Sequence, residues 1–220
     1  MTDSFKELDK QYVAGTYNRF PVELVSGKGA ILTAIDGKEY IDMGSGIGVN
    51  SFGCIDDIWS DAVKAQLGKL QHTSNLYYTQ PCVQLAKMLC ERTGMSKVFF
   101  CNSGAEANEC AIKVARKYAS DKKGAGHHTI ITLQNSFHGR TLTTLAATGQ
   151  DHYHELFQPL TPGFVSTPPN DIAALEKCVM ENSPAAIMIE CIQGEGGVCV
   201  LQKDFVKTAE KLARENDLVL

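Results

Sequence analysis

The stretch Val98-Phe99-Phe100-Cys101-Asn102-Ser103-Gly104-Ala105-Glu106-Ala107-Asn108 constrains this chain more than any other. An apolar, aromatic run stops in Asn-Ser-Gly-Ala and passes at once into helical spacing, where Ala107, Cys110, Ala111, Val114, Ala115 and Tyr118 recur. The pattern predicts a buried strand at 97–101, a small-residue turn, and a helix with Ser103 near its N-cap. The first turn of a helix leaves N–H groups unpaired and carries partial positive charge. Ser103 adds a hydroxyl, while Gly104 and Ala105 let an anion approach the backbone. Open α/β sheets place ligands at the carboxyl ends of their strands, so the junction reads as a phosphate cup. It is not a Walker loop, since no Gly-Lys-Ser/Thr follows, and it lacks the dinucleotide fingerprint. Plain strand–turn–helix junctions also carry Ser and Gly, and that reading stays open on the spelling of the turn alone.

The rest of the chain supplies the sheet such a cup needs. Helices are predicted at 57–69, 80–93, 105–119, 171–182 and 204–216, and further strands at 128–133, 163–166 and 185–190. This alternation points to an α/β fold, a mostly parallel sheet with covering helices. Asp36-Gly37, between Ala30-Ile31-Leu32-Thr33 and Tyr40-Ile41-Asp42-Met43, predicts a hairpin outside the main sheet. Residues 1–20 read as a helical or irregular arm. The expected division is 1–56, an arm and part of a small domain, and 57–220, a larger domain incomplete at its C-terminus. The chain stops on Leu218-Val219-Leu220, which reads as the start of a further strand, so a fragment of a longer chain is expected.

Composition narrows the function classes. A net charge of −4 gives no basic footprint for nucleic acid, and no apolar run approaches the roughly 18 residues of a membrane span. The polar, charged first ten residues do not resemble a secretory leader, so a cytoplasmic protein is expected. The eight cysteines form no Cys-x-x-Cys pair. Buried free thiols in a reducing compartment are expected, with no metal site.

Three further constellations could carry chemistry. Asn135-Ser136-Phe137-His138-Gly139-Arg140-Thr141 follows a predicted strand, where Phe137 offers a flat face for an aromatic ring and Arg140 a planar fork for a carboxylate. His138 reads as a residue that fixes the loop. Ile189-Glu190-Cys191-Ile192-Gln193-Gly194-Glu195-Gly196-Gly197 follows another, so Glu190 falls at a strand end among glycines that permit tight turns. Asp42-Met43-Gly44-Ser45-Gly46-Ile47-Gly48-Val49-Asn50 is rich in glycine, but no helix pattern follows promptly, which weakens a nucleotide reading. Taken by themselves, an Arg beside an aromatic and carboxylates between glycines also occur as ordinary surface features.

The spelling of these segments resembles the class III (subgroup II) aminotransferases, which use pyridoxal 5′-phosphate. Asn102 to Glu109 is similar to the family's phosphate-binding segment, and Phe137 to Thr141 to its ring-stacking segment. Glu190 to Gly197 is similar to the family's Glu-Pro-x-x-Gly-Glu-Gly-Gly, with Cys191 where Pro is usual. Gly15-Thr16-Tyr17-Asn18-Arg19-Phe20-Pro21-Val22 resembles the acetylornithine branch rather than the 4-aminobutyrate or ornithine δ branches. His72 to Tyr78 resembles a segment that reaches the neighbouring subunit's site. Gly53-Cys54-Ile55-Asp56-Asp57 stands where the family usually has Gly-His-x-His-Pro. The resemblance runs from about residue 12 to residue 220.

That resemblance implies a fold-type-I large domain with part of a small N-terminal α+β domain, a homodimer, and arginine biosynthesis as the setting. It implies Ser103, Gly104 and Ala105 on the cofactor's phosphate and Phe137 over its ring. Arg140 would hold the substrate's α-carboxylate, and Ser45, Gly46 and Ile47 would line the substrate entrance. Glu190 would lie close to the cofactor, and Glu195 would pair with an arginine outside these residues. The expected reaction moves the δ-amino group of N2-acetylornithine to 2-oxoglutarate, with ornithine, succinylornithine and 4-aminobutyrate as alternative donors. No lysine here stands in the family's Schiff-base position, so these residues alone are expected to be inactive. A nucleotide-dependent oxidoreductase and a non-catalytic assembly domain are the readings of other classes.

Overall fold

Asp36-Gly37 turns the chain where the sequence places a hairpin. The Gly37 N–H donates to the Ala34 carbonyl (2.9 Å) and the Lys38 N–H to the Asp36 carboxylate (3.0 Å). The computed structural model describes residues 4–220. They form two compact units, one reaching to Met88 and the other spanning Leu89–Leu220.

In the first unit, α1 (Phe5–Tyr12) is capped by Ser4, whose side chain accepts from the Glu7 N–H. The hairpin strands β2 (Ile31–Ala34) and β3 (Glu39–Ile41) are joined by β1 (Leu24–Lys28) into an antiparallel sheet of order β1-β2-β3. The pattern around Gly27 does not announce β1. A Cβ there would crowd the Ile31 carbonyl oxygen (3.0 Å) and the Cys54 Cβ (3.1 Å). Helix α2 (Asp57–Leu67) follows, and then α3 (Gln80–Thr93), whose last five residues belong to the second unit. Asp56 is the N-cap of α2 and accepts from the Trp59 N–H at 2.8 Å. Cys54 forms a bridge with Gly29. Within residues 53–57, Cys54 therefore ties this segment to the sheet and Asp56 starts the helix.

The second unit is a three-layer α/β structure. Helix α4 (Gly104–Lys123) precedes β4 (Ile130–Leu133), α5 (Leu142–Ala147) and β5 (Phe164–Thr167). Then come α6 (Ile172–Asn182), β6 (Ala186–Ile187), the short pair β7 (Ile192–Gln193) and β8 (Cys199–Val200), and α7 (Lys203–Glu215). The sheet order is β5-β4-β6, all parallel, and Val219 adds a further parallel bridge to Ala186. All four residues of β4 are buried, as a central parallel strand with both faces covered requires. Ile130 and Ala186 pack with Ile112, Ala115 and Ala147 of α4 and α5. Ile131, Leu133 and Ile187 face Leu175, Val179, Phe205 and Ala209 of α6 and α7.

Three expectations need correction. Residues 97–101 form no strand, because no hydrogen-bonded neighbour flanks them among the described residues; Phe99 and Phe100 are exposed. Helix α4 buries Ile112, Ala115 and Ala119, whereas Ala107, Ala111 and Val114 of the predicted apolar face are exposed. All eight cysteines are free, but only Cys178 is buried; Cys82, Cys101, Cys191 and Cys199 are exposed. Cys82 lies on α3, which buries no residue, and Cys101 ends the unpaired segment. No described helix is long and apolar enough to cross a membrane.

Candidate active site

The carboxyl ends of β4 and β6 lie at one end of the parallel sheet; the loop leaving β4 meets the start of α4, and the segment leaving β6 meets that loop. Ser103 is the N-cap of that helix, and its hydroxyl accepts from the Glu106 N–H at 3.2 Å. Glu106 turns its carboxylate back onto Asn102, accepting from the backbone N–H (2.5 Å) and from Nδ2 (3.3 Å). The Asn102 backbone hydrogen bond is the main reason that the Glu106 carboxyl titrates below the usual range. The N–H groups of Gly104 and Ala105 make no hydrogen bond among the described residues. A Cβ added at Gly104 would meet nothing within 4 Å. Two donors at the positive end of a 20-residue helix are therefore left without a partner among the described residues.

The loop after β4 is fastened to this turn. Gly139 (φ +130) packs so closely on α4 that a Cβ would stand 2.8 Å from the Ala105 Cβ and 2.6 Å from Thr144 Oγ1. Asn108 Nδ2 donates to the His138 carbonyl at 2.8 Å. Thr141 caps α5 through a capping box, and its hydroxyl also donates to Glu109 of α4. His138 is buried; its backbone N–H donates to Thr148 Oγ1 at 2.9 Å, while Nε2 has no partner. Burial pushes its imidazole down to about 4, so it is neutral at physiological pH and suits a loop anchor.

Phe137 is half-buried, and its backbone N–H donates to Glu190 Oε2 at 2.9 Å. This bond joins the loop after β4 to the end of β6. Two neighbouring contacts reinforce it. Gln193 Nε2 donates to the Gln134 carbonyl at 2.9 Å, and a Cβ at Gly196 would collide with the Asn135 carbonyl oxygen. Glu195 is exposed and makes no ion pair among the described residues.

Tyr153 is a residue the sequence reading missed. Its ring meets Phe137 edge-on at 5.8 Å, and the Arg140 guanidinium carbon stands 5.4 Å from its centroid. Arg140 itself is exposed and has no carboxylate partner among the described residues. Only the aromatic character of Tyr153 signalled it, since Asp151–Tyr153 is a single 3-10 turn without periodicity.

Ser103, Gly104, Ala105, Phe137, Arg140 and Glu190 thus belong to one connected set of loops. Ser45, Gly46 and Ile47 belong to the first unit. There Asp42 Oδ1 accepts from the Gly44 and Ser45 N–H groups, both at 2.9 Å. Ser45, Gly46, Ile47 and Gly48 all have positive φ (41°, 60°, 57° and 84°). Such a run is costly for a β-branched residue like the fully exposed Ile47.

Open helix-end amides suit a phosphate, a half-buried aromatic suits a flat ring beside it, and an unpaired guanidinium suits a carboxylate. The chain is 50% identical over its whole length to an acetylornithine aminotransferase of Haemophilus ducreyi, of which it covers 56%. It is also 50% identical to one of Methanocaldococcus jannaschii, over 99% of this chain and 54% of that one. The ornithine aminotransferase structure from Toxoplasma gondii matches with a TM-score of 0.91 at 32% identity, over 98% of this chain and 52% of the other. The N-acetylornithine aminotransferase structure from Stenotrophomonas maltophilia matches at 0.79 and 36%, over 97% and 52%. The chain spans about half the length of these relatives. The sequence pattern of the class-III aminotransferases matches residues 12–220, and the chain belongs to that family.

Proposed function

We propose that the protein carrying this chain transfers the δ-amino group of N2-acetylornithine to 2-oxoglutarate, giving acetylglutamate semialdehyde and glutamate, with pyridoxal 5′-phosphate as cofactor. The observation that carries the cofactor assignment is the packing of Gly139 on Ala105, which sets the Phe137 loop against the open amides of α4. The choice of donor rests on the acetylornithine aminotransferases among its relatives. In this reading residues 1–56 form the arm and part of a small domain, and 57–220 the cofactor-binding domain. The whole protein works as a cytoplasmic homodimer in arginine biosynthesis, and the exposed Leu76, Tyr77 and Tyr78 suit burial against a second subunit.

When bound, the cofactor supplies the electron sink for amino-group transfer. The protein's part is position and charge. Gly104 and Ala105 N–H groups, with the Ser103 hydroxyl, hold the phosphate; each helix-end donor contributes about 0.3–1 kcal/mol, so they act together. Phe137 lies against the ring. Glu190 Oε2 holds the Phe137 backbone, which leaves Oε1 free to accept a hydrogen bond from the bound ligand. Arg140 takes the substrate's α-carboxylate, Glu195 pairs with an arginine outside these residues, and Ser45, Gly46 and Ile47 line the substrate's approach. Protein expressed from the complete reading frame is to be assayed with acetylornithine, ornithine, succinylornithine and 4-aminobutyrate. The proposal expects the highest kcat/KM on acetylornithine; equal values on 4-aminobutyrate would overturn the choice of donor.

A further inference from the structure

Arg140 poses a physical problem for the function proposed above. A long side chain on an exposed loop with no carboxylate partner samples many rotamers, and ordering it on substrate binding costs entropy. The structure holds one group that restrains it, Tyr153, whose ring lies 5.4 Å from the guanidinium carbon and 5.8 Å from the Phe137 ring at an interplanar angle of 64°. Tyr153 is itself fixed from several sides. Its N–H donates to the Gln150 carbonyl (3.1 Å), and Gln150 Nε2 donates to the Ser136 carbonyl (3.2 Å). The next residue, His154, places Nε2 2.9 Å from the Leu145 carbonyl oxygen of α5, and the His152 ring packs 4.0 Å from the Tyr153 ring. The Tyr153 hydroxyl makes no hydrogen bond among the described residues, so the ring carries its contacts.

We infer that Tyr153 is a positioning residue that sets the spacing between the stacking ring of Phe137 and the carboxylate clamp of Arg140. A guanidinium held over an aromatic face keeps its in-plane N–H edge free for a bidentate carboxylate. The turn at 151–153 thereby couples ring plane to substrate carboxylate without touching either ligand. This inference rests on the aminotransferase reading, and the two fail differently: an inactive wild type refutes the reading, whereas an active wild type indifferent to Tyr153 refutes the inference.

The test uses protein from the complete reading frame, loaded with pyridoxal phosphate. Tyr153→Phe keeps the ring and should leave KM for acetylornithine within about twofold of wild type, since the hydroxyl carries no contact. Tyr153→Leu should raise that KM by about three- to tenfold while kcat stays within about twofold and the visible spectrum of bound cofactor is kept. Tyr153→Met, which keeps bulk without a π face, should match the Leu variant and decides the matter if the Leu variant loses its cofactor. In an Arg140→Met background the Leu change should add nothing, because it acts through that guanidinium. An unchanged KM in the Leu or Met variant, equal damage from the Phe variant, or additivity with Arg140→Met would each overturn the inference.

Discussion

Gly139 leaves no room for a side chain against Ala105: a Cβ at 139 would stand 2.8 Å from the Ala105 Cβ and 3.1 Å from its Cα. Gly139 also adopts φ +130, which side-chain-bearing residues rarely do. Gly139→Ala is therefore expected to destabilise the fold by about 1–3 kcal/mol through strain and overpacking. Urea unfolding reads the stability, and a parallel cofactor titration should show weaker binding as the loop lifts from α4. Unchanged stability and affinity would mean that the loop shifts without cost.

Glu190 holds the Phe137 N–H through one carboxylate oxygen. Replacing it with Ala leaves a partly buried donor unpaired, a loss of about 1.5–3 kcal/mol for a bond to a charged group. Glu190→Gln keeps an acceptor and should lose less. Thermal midpoints of the two variants check the order, and an Ala variant as stable as wild type would remove Glu190 from its anchoring role.

His138 gives the fold a pH dependence with a defined sign. Its imidazole titrates near 6.5 when unfolded and is pushed down to about 4 by burial. Between those values the unfolded chain binds the proton and the native chain does not, so stability falls as pH drops from about 6.5 to about 4. The loss from this group is on the order of 3 kcal/mol, complete below the lower value. Denaturation curves across that window, compared with His138→Gln, should show a smaller acid loss in the variant.

Ser103 has two separable duties. As an N-cap it is worth about 1 kcal/mol against Ala but only a few tenths against Gly. Ser103→Gly should therefore leave stability nearly intact while weakening pyridoxal phosphate binding, which isothermal titration would register. If affinity were unchanged in the Gly variant, the hydroxyl would serve the helix alone.

Much of this fold could be read from the residues because local signals agreed with tertiary need. β4 and β5 were anticipated as short strands, the hairpin by Asp36-Gly37, and α4 by Ser103 ahead of residues recurring at helical spacing. The segment 97–101 was misread because an apolar run specifies a wish for burial, and only a paired neighbour makes it a strand. The buried face of α4 was misplaced by about one residue because Ala and Cys fill the helix on several sides. Tyr153 carried no signal in the sequence beyond being aromatic, since its significance comes from Phe137 and Arg140, brought near it by the loop after β4. The candidate residues at 103–105, 137, 140 and 190 were visible as strand-end motifs, while the Gly139–Ala105 contact that joins them is a property of the folded chain.

The most direct measurement compares pyridoxal 5′-phosphate with pyridoxal, its counterpart without the phosphate, binding to protein from the complete reading frame. If the Gly104 and Ala105 amides grip the phosphate beside Phe137, the phosphorylated form should bind about 5- to 150-fold more tightly, and Phe137→Ala should weaken both. Equal affinities, or a preference unaffected by changes at Ser103 and Gly139, would contradict the account.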